Sequence, residues 1–154
     1  MKGDRCDRCA QPLAGFADPP PAPANASRLR QQLLLYRSGD LDRAEFEGYL
    51  DRHTRQCEQL LADTKAENFD PEARAEMSEE LSAGRRGVMA YMQGLDSVRA
   101  WMLTRDDEDL KRGLALAEQG DLLVEQAIAL NYQTHRTHME TTREFLQHLG
   151  YQGD

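Results

Sequence analysis

Apolar side chains recur along most of this chain at alternating steps of four and three. From residue 77 to 102 they fall at Met77, Leu81, Gly84, Val88, Tyr91, Leu95, Val98 and Met102. From 110 to 149 the same rhythm runs through Leu110, Leu114, Ala117, Asp121, Val124, Ile128, Asn131, His135, His138, Thr142, Phe145 and Leu149, with several polar members. A shorter series joins Phe46, Leu50, His53, Cys57, Leu60 and Thr64, and Leu29, Leu33 and Tyr36 share a further face. Such a pattern belongs to helices packed at a shallow angle, as in coiled coils and left-handed bundles. No stretch alternates with period two between hairpin turns, so no sheet is expected.

Start and stop signals divide the pattern into four helices. The first runs from about Ala26 to Arg37, with Asn25 or Ser27 as its N-cap, and ends at Ser38-Gly39-Asp40. Asp42 and Glu45 form a capping box for a second helix reaching about Glu67. Asp70 caps a third, with Pro71 at its first position, that continues to about Thr104. Asp106 or Asp107 caps a fourth that reaches about Leu149. Short connections make neighbouring helices antiparallel. The expected fold is therefore all-α: an antiparallel helical bundle of three long helices plus a short N-terminal helix. Residues 1–25 form an extended, Cys-containing, Pro-rich head and spacer, 26–150 the bundle, and 151–154 a tail.

Glycines at Gly84, Gly87 and Gly94 each cost a helix roughly 1 kcal/mol against alanine, and point to close helix approach, mild bending or a hinge. Gly120-Asp121 could break the fourth helix; Asp121 falls on its apolar seam, which suggests a kink or a local exit from the core. From Asn131 to Thr142 that seam turns polar, while Ile128, Tyr132, His135, Met139, Leu146 and Leu149 stay mainly apolar. The stripe thus drifts around the helix: either the supercoil changes there, or the helix outruns its partners and offers a face through Tyr132, His135 and Met139.

Charge and composition then narrow the function. The chain carries 19 Lys and Arg against 27 Asp and Glu, a formal charge of −8. Residues 1–28 hold about +1, so the remainder holds about −9. An acidic body lacks the clustered cations that bind phosphate backbones or anionic membranes. No apolar run approaches the ~18–20 residues needed to span a bilayer, and Met1-Lys2-Gly3-Asp4-Arg5-Cys6 has no signal-peptide core. The expected location is cytoplasmic. Five of the six prolines lie before residue 28, four of them in Asp18-Pro19-Pro20-Pro21-Ala22-Pro23, an extended spacer.

Three cysteines are too few for a disulfide scaffold. Cys6 and Cys9 have the C-x-x-C spacing that aims two thiolates at one zinc. The segment Cys6-Asp7-Arg8-Cys9-Ala10-Gln11-Pro12-Leu13 resembles one knuckle of the bacterial zinc ribbons, in which C-x-x-C is followed by a small residue and then Pro-Leu. That resemblance covers eight residues of 154 and implies Zn2+ on Cys6 and Cys9. A ribbon has a second C-x-x-C, which this chain lacks. The two remaining ligands would come from a second chain or from histidine. The same dithiol could serve as a redox pair, aided by Arg5 and Arg8, although no thioredoxin-like βαβ pattern surrounds it.

A second metal candidate pools His53 and Cys57 on the second helix with His135 and His138 on the fourth, each pair sharing one helical face. Counting levels from a turn near residue 69 puts His53 opposite residue ~85 of the third helix and ~126 of the fourth. His135 then lies roughly 14 Å away along the axis, so a shared site would need another topology.

Other features have plainer readings. Arg85-Arg86 reads as a solvated face, Asp106-Asp107-Glu108-Asp109 as helix capping, and Trp101 as core or as an interface anchor. Glu-x-x-His, Gly-rich phosphate loops, Gly-x-Ser-x-Gly and His-Glu-x-x-His are all missing. The sequence therefore points to a non-catalytic helical module that binds a protein partner or a second copy of itself: an adaptor, chaperone or regulatory subunit. A metal- or thiol-dependent enzyme or sensor is the competing class.

Overall fold

A computed structural model describes residues 23–148; the side chains of residues 138–140 and 142–148 lie outside that description. Five helices occupy the described residues, with no strand among them. They are α1 (Asn25–Ser38), α2 (Arg43–Asp63), α3 (Pro71–Glu76), α4 (Ser78–Thr104) and α5 (Asp107–His148), with a 3-10 turn at Ala66–Asn68. The all-α class is as expected. The head, with Cys6 and Cys9, lies outside the described residues.

Local chemistry sets most helix ends. Gly39 adopts φ +86 and returns its N–H to the Tyr36 carbonyl, closing α1. The capping box of α2 is complete: Asp42 Oδ1 accepts from Glu45 N, and Glu45 Oε2 accepts from Asp42 N, each at 2.8 Å. Asp70 Oδ1 accepts from Glu72 N and Ala73 N at the start of α3. Asp106 Oδ1 accepts from Glu108 N at the start of α5.

Four expectations are corrected. Neither Asn25 nor Ser27 caps α1; its N-cap is Ala24, which has no side-chain oxygen. Asp121 of α5 takes that role, accepting from Ala26 N at 2.8 Å and from Asn25 Nδ2 at 3.0 Å. Helix α2 stops at Asp63, not Glu67, because Asn68 Nδ2 donates to the Ala62 and Asp63 carbonyls and Arg85 Nη1 to the Leu61 carbonyl. The third predicted helix is divided at Met77 (φ −100, ψ 13), and α3 buries no residue. Finally, α5 is unbroken at Gly120-Asp121. There the glycine admits a neighbouring helix and the aspartate caps another.

The residues Ala22–Ala127 form one compact unit. Within it α1, α2, α4 and the first half of α5 run alternately up and down. Tyr36 of α1 stacks on Phe46 of α2 at 4.9 Å. His53 of α2 meets Tyr91 of α4 at 6.2 Å, and Arg99 of α4 donates to Asp51 and Thr54 of α2 at 3.0 and 2.8 Å. Arg30 of α1 pairs with Glu118 of α5, which closes the ring of four. Leu29, Leu33, Phe46, Leu50, Leu95, Val98, Trp101 and Met102 fill the space between them. Each fully buried aliphatic or aromatic side chain here contributes about 1.5–3 kcal/mol over exposure.

The α4–α5 contact is made differently. A Cβ on Gly94 would lie 2.7 Å from the Gly113 carbonyl oxygen, and one on Gly87 2.8 Å from that of Gly120. The reverse additions are as tight, at 2.8 Å in both cases. Each glycine pair therefore brings backbone against backbone, close enough for Cα–H to carbonyl contacts. Ala83, Ala90 and Ala117 continue this buried seam. The seam of α5 is thus Leu110, Gly113, Ala117 and Gly120, rotated one position from the predicted Leu114 and Asp121.

Candidate functional site

Tyr49, His53 and Cys57 lie at four-residue steps on α2, so the helix presents them in one row. Tyr91 of α4 faces that row. The His53 ring stands 4.3 Å from Tyr49 and 6.2 Å, nearly edge-on, from Tyr91. Tyr49, Cys57 and Tyr91 are buried, and His53 is half-buried. The Tyr49 and Tyr91 hydroxyls are sealed from water and influence each other, yet neither reaches full hydrogen-bond geometry with any group.

Every ionisable group in this layer is pushed toward its neutral form. Burial raises the Tyr91 phenol far above its ordinary range, with Tyr49 adding to the effect. Burial also raises the Tyr49 phenol. Burial, and then the Glu58 charge, raise the Cys57 thiol. Burial lowers His53, and the Arg52 and Arg28 charges lower it further. At neutral pH the layer therefore holds a thiol and not a thiolate, two phenols and an uncharged imidazole. That is the opposite of an activated nucleophile beside a base.

The predicted pairing of His53 with Cys57 on one face holds, but their companions are tyrosines. The level count fails because residues 64–77 form no tight turn: His53 lies opposite Tyr91, not residue ~85. His135 is exposed. The His138 side chain lies outside the described residues. Among the described residues no group of three or more His, Cys, Asp or Glu is arranged to hold a metal ion. Of the predicted partner face, Ile128 and Tyr132 are half-buried, and the Met139 side chain lies outside the described residues.

Three features escaped the sequence. Arg85 is no solvated cation: its guanidinium donates to the Leu61 carbonyl at 2.6 Å and to Thr64 Oγ1 at 3.0 Å, sealing the end of α2. Glu80, in the first turn of α4, is 6% exposed and neither carboxylate oxygen has a hydrogen-bond partner, although its place in Ser78-Glu79-Glu80 suggests an ordinary surface acid. Arg105, in the α4–α5 turn, lies over the aromatic rings of Trp101 and Tyr36.

The chain matches no protein-family model, no curated protein and no solved structure. Fold and site together define it as an all-α helical bundle, and no helix among the described residues is long and apolar enough to cross a membrane.

Proposed function

We propose that this protein is a non-catalytic interaction module, a cytoplasmic adaptor, chaperone or regulatory subunit that docks a protein partner or a second copy of itself. One observation carries the reading. The compact unit ends at Ala127, inside α5, yet helix α5 continues to His148. Past that point Ile128, Leu130 and Tyr132 remain only half-buried. Half-buried apolar and aromatic residues along one helix are the kind of surface that partner proteins bury. The neutral layer of Tyr49, His53, Cys57 and Tyr91 supports the non-catalytic half of the proposal.

The head adds a second element. Cys6 and Cys9 from two chains would supply four thiolates to one zinc and hold two bundles together. Metal content and molar mass on one purified sample test it: one zinc per two chains is expected, lost in Cys6→Ser and Cys9→Ser. A metal-free sample would remove this element and leave the helix face standing.

The helix face is tested with Tyr132→Glu and Met139→Glu in the full chain. Solution molar mass and protein capture are measured for each variant, with circular dichroism as the folding control. Loss of self-association or of a captured protein is expected. Folded variants that behave as the parent does would overturn the reading.

A further inference from the structure

Arg105 is the one non-glycine residue with positive φ among the described residues, at φ 59 and ψ 23. It closes α4 by donating its N–H to the Trp101 carbonyl at 2.8 Å. Glycine is the usual occupant of this left-handed position, because a Cβ there costs roughly 1–2 kcal/mol. The chain holds an arginine in it, and the side chain folds back over the bundle end. Its guanidinium carbon sits 4.9 Å from the Trp101 ring centroid and 5.8 Å from that of Tyr36. One guanidinium nitrogen donates to the Tyr36 hydroxyl at 3.0 Å.

The two rings stand at 87° to each other with centroids 6.2 Å apart, so they form two walls of a corner. Phe46, stacked on Tyr36 within 10° of parallel, backs one wall and is itself fully buried. Asp106, Asp107, Glu108 and Asp109 follow Arg105 in the chain, with Glu108 paired to Lys111 and Asp109 to Arg112. Electron-rich ring faces within about 6 Å of a cation attract it, and weakly hydrated guanidinium and methylated ammonium groups gain most from such walls.

We propose that the Tyr36–Trp101 corner is a binding site for a guanidinium or methylated ammonium group, kept closed in the free chain by Arg105. A cation of that class on a partner would displace Arg105 and take over both ring faces and the Tyr36 hydroxyl. Its residues belong to α1, α4 and the turn after α4, so the proposal stands or falls independently of the α5 face. A purely structural clasp uses the same contacts in the free chain, but predicts no ligand once Arg105 is gone.

The chain contains a single tryptophan, so Trp101 emission reports on this corner alone. Arg105→Gly removes the occupant and places at φ 59 the residue that position favours, so the turn is retained. Both proteins are titrated with tetramethylammonium chloride, with sodium chloride at matched ionic strength as control. The variant is expected to give a saturable emission change that sodium does not give, with half-saturation about tenfold lower than in the parent. Adding Tyr36→Leu to the variant is expected to abolish saturation. A folded Arg105→Gly protein that responds to the two salts identically would overturn the site and leave Arg105 as a clasp. If the glycine variant loses its helical signal, Arg105→Gln is titrated instead and the same two outcomes decide.

Discussion

Helix α4 packs against its two neighbours in two different ways. Toward α2 it presents large side chains: Tyr91 and Leu95 meet Tyr49, Leu50 and Cys57 across a conventional core. Toward α5 it presents mainly small residues, with Val98 at one end, and Gly87 and Gly94 lie against Gly120 and Gly113 backbone to backbone. The first interface is stabilised by apolar area removed from water. The second depends on the absence of atoms, so it tolerates loss of volume and fails on gain. The contrast shows that a helix can be buried on a face built largely of small residues.

Substitutions of opposite kinds should separate the two interfaces. Leu95→Ala deletes a fully buried side chain from the first and is expected to cost about 3 kcal/mol in urea unfolding, cavity included. Gly94→Ala adds one carbon to the second and is expected to cost about 2 kcal/mol, because the blocking atoms are the Gly113 carbonyl and the Ala117 amide and not a flexible side chain. A null result there would mean that α4 and α5 can separate freely. Asp121→Ala removes the remote cap of α1; about 1 kcal/mol should be lost, with faster amide exchange concentrated in the first turn of α1. Exchange that rises evenly through the bundle would contradict that assignment.

Gly84→Ala serves as the internal control. A Cβ there meets Ala127 Cβ at an ordinary 3.6 Å, so the variant should be stabilised by up to about 1 kcal/mol through helix propensity. The smallest effect is that of pH. His53 has a lowered affinity for protons in the folded chain, so the unfolded chain binds more of them once pH falls below about 6.5. Stability from this group is complete above that pH, declines as pH drops toward the folded value, and is level below it. His53→Gln should flatten that part of the profile, as followed by thermal unfolding between pH 7.5 and 5.

Local chemistry was legible in the sequence wherever cause and effect lie within one turn. The Asp42–Glu45 box, the Gly39 stop and the Asp70-Pro71 start all appear as expected, and Tyr91, Leu95, Val98 and Met102 are core. Three tertiary facts were not legible. Gly113 and Gly120 have no side chain to outweigh their neighbours, so the apolar count selects Leu114 and Asp121 in their place while Leu110 and Ala117 are shared. Asp121 looked like a helix breaker because the group it caps, Ala26 N–H, lies far off in sequence and adjacent only in space. The row of His53 and Cys57 was visible, but tyrosine partners carry no metal-ligand signature, and Tyr91 reaches the row only through the detour of residues 64–77.

The central claim, that α4 and α5 touch through their backbones at paired glycines, is tested most directly by a double-mutant cycle on Gly94→Ala and Gly113→Ala. Both added carbons push the same two helix segments apart, since each meets the other glycine's carbonyl. Urea unfolding of the four proteins is expected to show the double variant losing clearly less stability than the two single losses combined. Losses that simply add, to within about 0.5 kcal/mol, would contradict the backbone contact.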